Sequence, residues 1–427
     1  MELTILLGVL FLVLPLLITK WYKESNNKRK LPPGPCKLPF IENLHQSSEL
    51  LPHSIIVSSP QMFREVMRKH DLNISNRPVF LVGTEMFYGH ADMGFCNYGD
   101  FRSRKICIQE LLSHKNIQLF YPKMLKEISN LVSTIKSCAS EGSPINMTET
   151  LSFVSRACKN QGSLIEIMRT VAASAGVFTL ADLLPSTKII HFIIDVLLEE
   201  IINEHEFQNS EPTEEDIVDV LLRLQTSPDF SIPITRDNTK ALIIDLFAGG
   251  STTSASTMEW AFSEIMKNPK IMKKAQDEVR QVLKGKENGI EQTNIQKFKY
   301  LKMIVKDTVR SHPLAPLLAP RESREESEIN GYVILKGSMT LVNFWKSQGI
   351  QTIGKILIYL IQTHFEFTPF GTGRRICPGL SFSMATQYDW KLRNGMSRHE
   401  LDMTEKFCNV LERKNNSFLI PLPYEHA

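Results

Sequence analysis

A chain of 427 residues, 42% hydrophobic and 22% charged, has the material for a large core and is too apolar for a disordered tail. Its 49 Lys and Arg against 46 Asp and Glu leave a net charge of +3, too mild a balance to point to a nucleic-acid partner. The seven cysteines, at 36, 96, 107, 138, 158, 377 and 408, contain no CxxC pair, which argues against a paired-cysteine zinc site or a dense disulfide framework and fits a reducing compartment.

Leu3–Thr19 is an almost unbroken apolar run, and seventeen helical residues span about 26 Å, close to the thinner hydrocarbon core of the endoplasmic reticulum. Lys20, Lys23, Lys28, Arg29 and Lys30 follow it, so residues 1–30 read as a single-pass membrane anchor with the bulk of the chain in the cytosol. A cleaved signal peptide is the alternative, against which stand the missing basic n-region and cleavage site. Leu31-Pro32-Pro33-Gly34-Pro35 is a stiff, non-helical elbow. Helical periodicity then dominates. Helices are expected over Pro60–His70, Ile106–Phe120, Met124–Ser137, Glu214–Leu224, Asp237–Lys267, Pro269–Leu283 and Tyr300–Ser311, and strands over Ile55–Ser58, Gly331–Leu335 and Met339–Asn343. Length alone suggests two or three domains of about 150 residues. Without internal repeats or a second change of pattern, residues 31–427 read as one mainly α domain with a small β-sheet.

Phe370-Gly371-Thr372-Gly373-Arg374-Arg375-Ile376-Cys377-Pro378-Gly379 completes the pattern F-x-x-G-x-R-x-C-x-G. A structural cysteine in a Gly-rich loop explains this poorly, because five positions match in ten residues. A thiol enzyme with Cys377 as nucleophile would need a histidine base, and His364 alone lies near it in sequence.

The segment resembles the haem-binding loop of the cytochrome P450 family, and most of the chain is similar to the plant microsomal branch, many members of which oxidise terpenoids. The anchor and elbow, Tyr98–Asp100 with Arg104–Cys107, Phe247–Ser254, Asp307–Arg310, Asp389–Leu392 and Leu419–Pro421 all fit. The resemblance implies a haem-thiolate monooxygenase fold, here incomplete, with haem b held by an axial thiolate from Cys377, which favours O–O cleavage. It implies that Arg375, Arg104 and Arg321 face propionates, that Phe370 shields the sulfur, and that Gly373 and Gly379 allow close backbone approach. Thr253 and Thr252 would handle protons beside Gly249 and Gly250, whose alternative role is close packing of helices. Asp307 and Arg310 would form a structural pair. A hydrophobic substrate would meet Arg77–Phe95, Asp245–Ala248 and Leu314–Leu318. Electrons would come from NADPH through a separate reductase in the endoplasmic reticulum membrane.

The chain departs from the family in places. Thr252 stands where an acid is usual, Asp307 replaces a glutamate, residues 346–363 match nothing, and members run to about 500 residues. These losses keep a second reading open, a catalytically impaired remnant.

Overall fold

The computed structural model describes residues 32, 54–79, 84, 86–99, 106–146, 186–207, 215–227, 234–284, 297–344, 371–377, 389–392, 403, 405–406, 412–413 and 418–422. The expected anchor, all of the elbow but Pro32, and the unmatched 346–363 lie outside them. Among the described residues no helix is long and apolar enough to cross a membrane.

The described fold opens on β1 (Ser54–Val57) and turns directly into α1 (Pro60–Lys69). Ser59 caps α1 by accepting the Met62 N–H at 3.2 Å, and Pro60 sits in the first turn, where a missing N–H costs nothing. Phe63, Val66 and Met67 form its buried stripe. The two helices expected over Ile106–Phe120 and Met124–Ser137 prove to be one. After a wide turn at Cys107–Leu111, α2 (His114–Glu141) runs on through Pro122. That proline removes one backbone hydrogen bond and leaves the rest of a 28-residue ladder, so it does not end the helix.

After β2 (Ile145–Asn146) comes α3 (Ser186–Phe207), a helix the sequence reading lacked. Its near-continuous apolar stretch hides the period, yet Ile194, Leu198 and Ile202, four apart, are the residues it buries. In α4 (Ile217–Thr226) the acidic residues expected in the first turn form the cap, with Asp216 and Asp219 making a capping box. The helices α5 (Arg236–Lys267), α6 (Pro269–Leu283) and α7 (Lys299–Ser311) stand within a residue of expectation.

The strands β3 (Arg321–Glu322), β4 (Ser327–Ile329), β5 (Tyr332–Ile334), β6 (Met339–Val342), β7 (Asp389–Leu392), β8 (Glu405–Lys406), β9 (Glu412–Arg413) and β10 (Phe418–Leu422) complete the described elements. The fold is mainly helical with little sheet, as expected. Among the described residues the short strands pair as β1-β6-β3, β2-β10-β7, β4-β5 and β8-β9, a division that strands of two to five residues carry too little alternation to reveal. β1 runs parallel to β6 with Ser54 opposite Met339, and α1 packs on this sheet through Phe63, Val66, Val57 and Val342.

The largest core cluster joins α3, α4, residues 86–111 and the first half of α5. Ion pairs hold α5 to α3: Arg236 to Glu199 at 2.7 Å and Lys240 to Asp195 at 2.6 Å. Toward its other end Trp260, fully buried, stacks on His312 with centroids 4.0 Å apart. Residues on both sides of the middle of α5, 239–244 and much of 252–266, are buried, and Gly249-Gly250 between them is exposed.

Candidate functional site

The cysteine loop is a tight backbone turn. Gly371 and Gly373 both lie at φ +72°, a left-handed conformation that glycine alone adopts freely. Gly373–Arg375 forms one 3-10 turn, closed by the Ile376 N–H donating to the Gly373 carbonyl at 3.2 Å. Cys377 follows, exposed. Phe370 and Gly379 lie outside the described residues, as does the short helix expected after Pro378.

Arginines fix this loop to the body. Arg375 is buried, its Nε donating to the Ser75 carbonyl at 3.0 Å and its Nη2 to the Cys96 carbonyl at 2.6 Å. Arg321, 3% exposed on β3, donates to Asp71 Oδ1 at 2.9 Å and to the Thr372 carbonyl at 3.3 Å. A third buried guanidinium, Arg77, donates to the carbonyls of Gly94, Ala319 and Pro320. Burial, then repulsion from Arg375 and Arg321, presses Arg77 below the usual arginine range. Burial also lowers Arg321, and Asp71 opposes that shift. Burial pushes the Cys96 thiol up. Three buried cations gathered behind a cysteine loop, Arg321 among them paired with Asp71, suit a ligand with acidic groups, since buried charge is costly. Sequence reasoning missed Asp71 and the structural use of Arg77, which carry no motif of their own. Arg104 lies outside the described residues.

The middle of α5 is open. A Cβ on Gly249 or Gly250 would meet no described atom within 4 Å, so among the described residues nothing packs closely on these glycines. Around them hydroxyls bond back along the helix: Ser251 to the Phe247 carbonyl, Thr253 to the Gly249 carbonyl at 2.5 Å, and Thr257 to the Thr253 carbonyl at 2.9 Å. Thr252, by contrast, is buried. Such back-bonding competes with the helix's own ladder and loosens it locally.

The stretches expected to meet substrate do converge. Asp245 on α5 accepts the N–H groups of Met93 and Gly94, the latter at 3.2 Å. Asp92 accepts the Phe95 N–H at 2.6 Å. Arg77 then links Gly94 to Ala319, the residue after Leu318. Leu318 itself lies at φ +51°, a strained backbone for leucine. Burial raises the carboxyls of Asp92 and Asp245, and Asp92 raises Asp245 further. The Asp307–Arg310 pair forms as expected within α7, with Nε to Oδ1 at 2.8 Å.

A family model described as Cytochrome P450 matches residues 177–348. Premnaspirodiene oxygenase of Hyoscyamus muticus is 36% identical over 491 residues, covering 97% of this chain and 97% of that one. Desmethyl-deoxy-podophyllotoxin synthase of Sinopodophyllum hexandrum is 38% identical over 490 residues, covering 97% and 96%. Both alignments are longer than the 427-residue chain, so they open gaps in it. Among solved structures, a zebra fish cytochrome P450 with progesterone superposes with a TM-score of 0.74 at 19% identity, over 87% of this chain and 94% of that one.

Proposed function

The chain belongs to the cytochrome P450 family of haem-thiolate monooxygenases, and we propose that it hydroxylates a hydrophobic small molecule, with Cys377 as the residue that would hold the haem iron through its thiolate. The observation that carries this reading is the cysteine loop, with two left-handed glycines, a single tight turn, an exposed cysteine and buried Arg375 and Arg321 bonded to the loop and its support. The residues present fit the group. Arg375 and Arg321, with the neighbouring Arg77, would supply positive charge for the propionates, and the turn at Gly373 would carry the sulfur; Arg104, Gly379 and Phe370, expected to join them, lie outside the described residues. The haem supplies the oxidising chemistry when bound.

The chain's own residues do the rest. The 92–95 turn and α5, joined through Asp245, line an apolar wall with Phe247 and Phe95. The open middle of α5 leaves room for a small molecule beside Thr253, whose hydroxyl is held on the Gly249 carbonyl and is placed to pass a proton. Thr252 stands beside it. A terpenoid substrate is the reading the named oxygenase relative favours. Residues 1–30 anchor the chain in the endoplasmic reticulum membrane, and a membrane-bound NADPH-dependent reductase supplies electrons.

The test is the reduced carbon-monoxide complex. The purified chain should give the red-shifted Soret band that a thiolate-bound haem shows with CO, and Cys377→Ala should abolish it. Deleting residues 1–30 releases much of the protein from microsomes. The second reading, a catalytically impaired remnant, rests on alignments that exceed the chain's own length. Haem per polypeptide separates the two: near-full occupancy with product formation supports the enzyme, and folded protein without haem supports the remnant.

A further inference from the structure

We propose that Asp71, in the turn after α1, is a positioning residue that sets the backbone of the loop carrying Cys377. The proposal rests on the reading of Cys377 as the thiolate ligand. Asp71 uses both carboxylate oxygens on the loop's frame. Oδ2 accepts the backbone N–H of Arg374 at 2.9 Å, and Oδ1 accepts from Arg321 Nη1 at 2.9 Å. Arg321 in turn donates through Nη2 to the Thr372 carbonyl at 3.3 Å. The peptide groups on both sides of Gly373 are thus held by one ion pair, which is 9% and 3% exposed. Charge-assisted bonds of this kind are stronger than neutral ones.

Gly373 is fitted to that carboxylate. A Cβ at position 373 would lie 2.5 Å from Asp71 Oδ1 and 2.6 Å from both Cγ and Oδ2. Atoms do not approach so closely, so a side chain at 373 and the Asp71 carboxylate exclude each other. The glycine of the cysteine motif is therefore demanded twice, by its φ of +72° and by Asp71. The rest of the Asp71 turn docks the next residue. The Ile74 N–H donates to the His70 carbonyl at 3.0 Å, closing the turn, and the Ser75 carbonyl accepts Arg375 Nε at 3.0 Å. Segment 71–75 is a template on which residues 372–375 are laid, two positions before the thiol.

The test compares full-length wild type, Asp71→Asn, Asp71→Ala, Gly373→Ala, the Asp71→Ala/Gly373→Ala double variant and Cys377→Ala. Three quantities are read: haem per polypeptide, the rate of haem loss to a haem-scavenging protein, and the share of the reduced CO complex in the red-shifted band. Asp71→Ala should speed haem loss about tenfold and move part of the CO complex to the unshifted band, because the loop no longer holds the sulfur in place. Asp71→Asn, nearly isosteric, keeps one acceptor and should fall between Asp71→Ala and wild type even if the alanine variant folds poorly. Gly373→Ala should be the most damaging single change, and removing the carboxylate in the double variant should recover part of the loss. Asp71→Asn and Asp71→Ala with wild-type haem loss and an undivided red-shifted band would overturn the proposal. So would a double variant worse than either single one. Cys377→Ala that retains the red-shifted band overturns the underlying ligand assignment instead.

Discussion

Arg310 meets Asp307 through one carboxylate oxygen: its Nε donates to Oδ1 at 2.8 Å, and its Nη2 lies 2.7 Å from the same atom. Aspartate is one methylene shorter than the glutamate of the family pattern, and it still makes the contact within α7. The arginine side chain is 7% exposed and the aspartate 32%, so the arginine is the costlier group to strand. Asp307→Ala should lower stability by about 1–3 kcal/mol in urea unfolding, and Asp307→Glu should stay within about 0.5 kcal/mol of wild type. A neutral Asp307→Ala would show that Ser311, which accepts from Nη2 at 3.2 Å, satisfies Arg310 on its own.

The glycines of α5 separate stability from turnover. Nothing described stands within 4 Å of a Cβ at either position. Gly249→Ala and Gly250→Ala should each stabilise the helix by about 0.5–1 kcal/mol, seen as a raised Tm. Product formation should fall, because the added methyl groups narrow the space beside Thr253. Raised stability with unchanged product formation would place the reacting molecule elsewhere.

The Asp92–Asp245 pair makes stability pH-dependent. Burial raises both carboxyls above the usual carboxylate range, so the folded state holds protons that the unfolded state releases. Their favourable contribution is complete below about pH 4 and is lost as pH rises through the folded values. Asp245→Asn keeps an oxygen for the Met93 and Gly94 N–H groups and removes one charge. Relative to wild type it should gain stability steadily as pH rises from the acid range toward neutral. A difference that stays flat or shrinks with pH contradicts this.

His205 works in the neutral range. Its Nε2 lies 3.1 Å from Asp216 Oδ2 and its Nδ1 2.8 Å from the Ile201 carbonyl, so the cap of α4 is tied to α3. The Asp216 bond, opposed by burial, raises its pKa from 6.5 to about 9. The group is raised on folding, so its contribution is full below 6.5 and is lost as pH rises to about 9. His205→Gln should cost about 1–2 kcal/mol near pH 6 and much less near pH 9.5, measured by urea unfolding at each pH.

What the sequence determined by itself is whatever local chemistry determines. Ser59-Pro60, Asp216–Asp219 and Thr235–Asn238 carry the signals of helix starts, and the chain forms those starts because each cap is satisfied within four residues. The ten-residue pattern around Cys377 was equally legible, since Gly371 and Gly373 answer first to a left-handed backbone; the second demand on Gly373, the nearby Asp71 carboxylate, belongs to tertiary structure. Tertiary structure decided the rest. Pro122 reads as a break and is carried inside α2 because one lost bond is small against the rest of the ladder. The period of α3 is masked by its many apolar residues, and its core neighbours choose which of them are buried. Asp71 and Arg77 have no motif, because their partners lie hundreds of residues away: Arg321 and Arg374 for one, Ala319 and Pro320 for the other. A contact of that span leaves no spacing to read along the chain, and it exists only once α1, β3 and the cysteine loop are packed together.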